Sequence, residues 1–125
     1  MEHIRQPAVA GTFYPAGRQE LQAMLDAMLA EADASGPVPK AMIVPHAGYI
    51  YSGPVAATGY ARLRQAAASI RRVILLGPAH RVPVRGLALP DAEAFSTPLG
   101  EIAPVSYTHL RDHETGVEIS YAVFC

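Results

Sequence analysis

Two histidines stand in matching places along the chain. His46 follows the run Ala41-Met42-Ile43-Val44 by two residues, and His80 follows Val73-Ile74-Leu75-Leu76 by four. Each run is short, aliphatic and closed by Pro or Gly-Pro, the pattern of a buried strand ending in a turn. An imidazole titrates near neutrality, so it can ligate a metal or move a proton. Two of them, 34 residues apart, suit two ligands of one metal or an acid–base pair. A lone strand-end histidine is more often a hydrogen-bonded loop residue; its repetition makes His46 and His80 the candidate catalytic and metal-ligating residues.

The elements that would bring them together read as follows. From Arg18 to about Ala34, the residues Leu21, Met24, Leu25, Met28 and Leu29 recur with helical period, and Ser35-Gly36-Pro37 stops the run. The methionines read as core filler. Lys40–Val44 reads as a strand. Ser52-Gly53-Pro54 reads as a helix start, with Val55, Ala56, Gly59, Tyr60, Leu63 and Ala67 as the apolar stripe of a helix over 54–68. A second strand follows at 72–76, and Val84–Leu89 offers a third. Strand, helix and strand make a βαβ unit, so the expected fold class is α/β with a mainly parallel sheet. Parallel strands end on one edge, where ligands of such sheets bind. That edge would gather both histidines, with strand axes roughly 5–10 Å apart.

The surroundings add secondary candidates. Asp91 and Glu93 are weak candidates for a third ligand. Gly48 and Gly53 would let the loop turn tightly or approach a ligand, and a helix starting near Gly53 would offer free N–H groups to an anion. Packing is the commoner role for Tyr49 and Tyr51, and solvation for Arg81 and Arg85. Tyr14, in Gly-Thr-Phe-Tyr-Pro, either covers the site or anchors its own loop.

Composition narrows the field. The 125 residues carry 10 Lys+Arg, 11 Asp+Glu and a formal net charge of -1. That balance implies no basic surface for nucleic acid. No apolar run approaches the length of a membrane span, and no signal pattern opens the chain, so a cytoplasmic home is expected. The one cysteine, Cys125, excludes an internal disulfide.

The last residues read differently. VSYTHLRDHET and then ISYAVFC look like translations of the two ends of a transposase-type sequencing adapter, in order, with Asp112 one base from the usual residue. Residues 104–125 are therefore expected to be non-native, leaving 1–103 as the native part. That part holds nine Lys+Arg and eight Asp+Glu, a net +1. His109, His113 and Cys125 then leave the list of candidate ligands.

Four blocks carry a family resemblance: PAVAGTFYP (7–15), PHAGYIYSGPVAA (45–57), LLGPAHRVPVRGLALP (75–90) and FSTPLGEI (95–102). Together and in this order they resemble the Memo family, known in bacteria and archaea as AmmeMemoRadiSam system protein B. The resemblance implies a fold like class III extradiol dioxygenases, here incomplete. It matches His46 and His80 to the two N-terminal histidines of the family's metal pocket, whose further Asp, His and Cys are not found in 1–103. It implies iron or copper, a redox or oxygenase-like role in the longer protein, and association with radical-SAM and AMMECR1-domain proteins. The alternative is a non-catalytic scaffold that recognises a peptide or anionic ligand on the same fold. For the 125-residue chain itself, the expectation is marginal folding and neither activity.

Overall fold

Gly17 precedes the first helix with extended dihedrals, φ −78° and ψ 134°, and α1 runs from Arg18–Glu31. These bounds come from a computed structural model, which describes residues 3–81, 83, 85 and 88–104. Leu21 is buried on α1, with Met24, Leu25, Met28 and Leu29 half-buried beside it. The helical stripe is thus the inner face, and both methionines lie half-buried along it. α1 stops three residues earlier than expected. Ala32 turns extended, and the Asp33 carboxylate accepts the Ser35 N–H at 2.8 Å, a local bond that competes with the helix ladder.

The second helix, α2, spans Tyr49–Leu63 and passes into a 3-10 turn over Arg64–Ala66. It begins five residues before the expected start, and Pro54 lies inside it. The proline ring removes the N–H that would reach back to the Ile50 carbonyl, so the ladder skips one bond there. Its buried residues are Ser52, Ala57 and Ala61, whereas Val55 and Tyr60 of the expected stripe are exposed. Small residues are buried because neighbours come close. A Cβ built on Gly53 would lie 2.5 Å from the Met28 sulfur of α1, and one on Gly59 would lie 3.0 Å from Val44 and 3.2 Å from the Met42 sulfur.

Residues 40–44 form no strand in the structure, and neither do residues 72–76. The expected βαβ unit is therefore absent among the described residues. A strand exists only where a partner completes its ladder. Side-chain alternation survives without one: Met42 and Val44 lean on Gly59, while Ile43 is fully exposed. Val73, Ile74 and Leu76 are 66, 53 and 64 % exposed. Three residues of the expected third strand, 84, 86 and 87, lie outside the described residues.

The sheet that does form is small and mixed, not mainly parallel. β1 (Ile4–Arg5) pairs in parallel with β2 (Ala94–Thr97), setting Ile4 against Ala94 and Arg5 against Phe95. β2 pairs antiparallel with β3 (Gly100–Ile102). FSTPLGEI thus makes a hairpin. Gly100 takes φ +139°, a conformation that favours glycine, and the Thr97 hydroxyl donates to its carbonyl at 2.7 Å. Phe95 is 4 % exposed, with the Arg5 guanidinium 5.9 Å from its ring centroid. His3 holds the approach to β2: its Nδ1 donates to the Asp91 carbonyl, and its own carbonyl accepts the Glu93 N–H at 2.9 Å. Helices and a mixed sheet place the chain in the α/β class. The chain divides into two units, Val9–Arg71 with both helices, and a second that joins the residues up to Ala8 with those from Arg72 onward.

Candidate functional site

The N-terminal loop is a built turn. Gly11, at φ +83°, donates to the Tyr14 carbonyl at 2.7 Å. The Val9 carbonyl receives the Thr12 and Phe13 N–H groups at 3.1 and 2.9 Å, and the Thr12 hydroxyl at 2.9 Å. This turn aims the Phe13 carbonyl outward, and the Tyr49 N–H donates to it at 2.7 Å. The first helical residue of α2 is thereby tied to GTFYP. The Tyr14 and Tyr49 rings meet alongside, 5.4 Å apart at 43°.

His46 precedes this junction by three residues and is exposed. The backbone after it is fixed from inside α2 as well. The Tyr51 and Ser52 N–H groups donate to the Gly48 carbonyl at 2.9 and 3.0 Å. The Ser52 hydroxyl, on a residue only 7 % exposed, donates to the Ala47 carbonyl at 2.8 Å, with the Gly48 carbonyl at 3.3 Å. Sequence reading missed Ser52, taking Ser-Gly-Pro as a helix start. The signal available was its place one helical turn after the Gly48 that ends the histidine loop.

The phenols here stay protonated. Burial raises Tyr14 above its ordinary value, and burial raises Tyr49 too, with the Tyr14 and Tyr60 phenols adding to the effect. Tyr14 acts as a loop anchor, the second of its two expected roles. Tyr51 is largely exposed. Gly48 has φ −54°, and a Cβ there would meet only ordinary contacts at 3.6–3.7 Å, so neither conformation nor space demands glycine. Gly53 lies inside α2 against Met28, not at a helix start, so the expected anion-binding N–H groups are not at Gly53.

His80 lies in the other unit, exposed in the loop after Leu76, with Arg81 and Arg85 also exposed. Asp91 and Glu93 are exposed, and their backbones serve His3. No three His, Cys, Asp or Glu residues form a metal-holding group among the described residues. His109, His113 and Cys125 lie outside the described residues.

The sequence of this turn, loop and hairpin is shared. Residues 5–108 match the family described as Memo-like protein. The chain belongs to the Memo family. All four sequence blocks fall within the Memo match. A MEMO1 family protein of Aquifex aeolicus is 34 % identical over 134 residues, covering 94 % of this chain and 49 % of the relative. Protein MEMO1 of Danio rerio is 41 % identical over 99 residues, covering 78 % of this chain and 32 % of the relative. A MEMO1 family protein of Ignicoccus hospitalis is 38 % identical over 109 residues, covering 79 % and 38 %. The chain spans about half the length of these Memo relatives, or less.

Imidazole nitrogen is a donor that iron and copper both accept. In donor chemistry His46 and His80 suit the metals expected of a Memo protein; in number, two imidazoles are part of a donor set.

Proposed function

We propose that this chain carries the histidine part of a Memo-family metal site, with His46 and His80 holding iron or copper in a redox or oxygenase-like protein of class III extradiol dioxygenase-like fold. The observation that carries this reading is the fixed backbone beside His46, made from two of the four Memo blocks. A fixed main chain and an exposed imidazole suit a ligand that must meet other donors at set geometry. A bound metal would supply Lewis acidity and electron transfer. The chain's own residues hold the main chain just after His46, and Tyr49 keeps its proton at neutral pH. The remaining donors belong, in this proposal, to the longer Memo domain. A cytoplasmic setting and association with radical-SAM and AMMECR1-domain proteins are part of the same proposal; no helix among the described residues is long and apolar enough to cross a membrane.

The test is anaerobic loading of a Memo protein containing this segment with iron(II) or copper, beside His46→Ala and His80→Ala. Metal content should fall in both variants; equal stoichiometry in all three removes the proposal.

One observation favours a second reading, a scaffold that binds a peptide. Ile50, Tyr51 and Val55 form an exposed apolar part of α2 just after His46. Substrate turnover that survives Tyr51→Ser and Val55→Ser, with no loss of any bound peptide, would exclude it.

A further inference from the structure

We propose that Ser52 is a positioning residue for His46. The proposal rests on the reading of His46 as a ligand. The helix ladder of α2 reaches back to the Gly48 carbonyl, which takes the Tyr51 and Ser52 N–H groups. It does not extend to Ala47, the residue directly after His46. The Ser52 hydroxyl does: it donates to the Ala47 carbonyl at 2.8 Å. It has one hydrogen to give, and the Gly48 carbonyl at 3.3 Å is the longer contact, so Ala47 is the main acceptor.

The bond spans five residues, from inside the helix to the loop before it. Ser52 is 7 % exposed, so water competes little for the hydroxyl. One residue beyond Gly48, the Tyr49 N–H is held from outside by the Phe13 carbonyl at 2.7 Å. The Ala47–Gly48 peptide, the second after His46, is therefore held from the helix by Ser52, and the Gly48–Tyr49 peptide from the N-terminal turn by Phe13. Serine has no advantage in a helix interior; alanine is the better helix former. What serine supplies at position 52 is the tie to Ala47. Groups that orient a ligand without touching the metal commonly alter affinity by about 10–100-fold.

The experiment uses the whole chain and Ser52→Ala, with His46→Ala as reference and copper(II) alone as the probe. Far-UV circular dichroism should show unchanged helix content in Ser52→Ala. Amide order parameters of Ala47 and Gly48 should fall from about 0.85 toward 0.6 or below, with those of α1 unmoved. Half-broadening of the His46 ring signals should then need about tenfold more copper(II). Unchanged order parameters overturn the proposal. So do lowered order parameters with unchanged His46 broadening, because loop motion would then not reach the imidazole. If wild type shows no His46 broadening, and His46→Ala leaves total copper binding unchanged, the ligand reading has failed instead. The order parameters alone then decide whether Ser52 holds the loop.

Discussion

The Tyr49 amide donates to the Phe13 carbonyl at 2.7 Å, joining two of the four Memo blocks through residues 36 apart in the chain. The bond starts α2 and holds the loop of His46. It depends on the turn that presents Phe13, and that turn depends on Gly11.

Gly11→Ala should therefore loosen the histidine loop. Its cost comes from backbone conformation and not from space, since a Cβ there would lie 3.6 Å from Ala16. At φ +83° an L-residue loses about 1–2 kcal/mol. Gly48→Ala is the matched control. With φ −54° and ordinary contacts it should change stability by less than about 0.5 kcal/mol. Urea titration of both variants checks the contrast, and equal effects would contradict it.

Gly53 and Met28 should be energetically coupled. An added Cβ meets the Met28 sulfur at 2.5 Å, so Gly53→Ala forces the thioether aside and should destabilise by about 1–3 kcal/mol. In a Met28→Ala background the same change removes an unfavourable helix glycine with nothing to strike, and should be neutral or stabilising. A double-mutant cycle with no coupling would show that Met28 moves away freely.

Alkaline pH should weaken the Val9–Arg71 unit. Below the ordinary tyrosine value of 10.0, Tyr14 and Tyr49 are protonated whether the chain is folded or not. Above it the unfolded chain releases these protons while the folded chain retains them. The folded state then binds more protons, so stability falls as pH rises through the raised folded values. Tyr49→Phe should show a shallower decline above pH 10 than wild type, followed by helix circular dichroism at fixed urea. An unchanged slope would argue against desolvation at Tyr49.

Phe95→Ala should dismantle the hairpin. Phe95 is the one buried residue of the sheet, paired with Arg5 across β1 and with Ile102 across β3. A buried Phe→Ala change costs about 3–5 kcal/mol, more than a sheet of this size is expected to withstand. Amide exchange at Ser96 and Thr97 should become fast. Arg5→Ala should cost less, about 0.5–1 kcal/mol for the lost ring contact at a half-exposed site.

Local pattern alone determined α1 and its inner stripe, because a helix face is written in residues three and four apart. The two histidine loops, the Memo resemblance and the punctuated turn at 7–17 were also legible, since Gly, Pro and His mark loops by type. Tertiary contacts decided the rest. α2 begins at Tyr49 because the Phe13 carbonyl is there to receive its amide, a partner that Ser-Gly-Pro spacing does not reveal. Residues 40–44 and 72–76 have strand composition and no ladder, because a strand, unlike a helix, takes its hydrogen bonds from elsewhere in the chain. Ser52 read as part of a helix start, and only the folded chain shows its hydroxyl reaching back to the carbonyl of Ala47, the residue after His46.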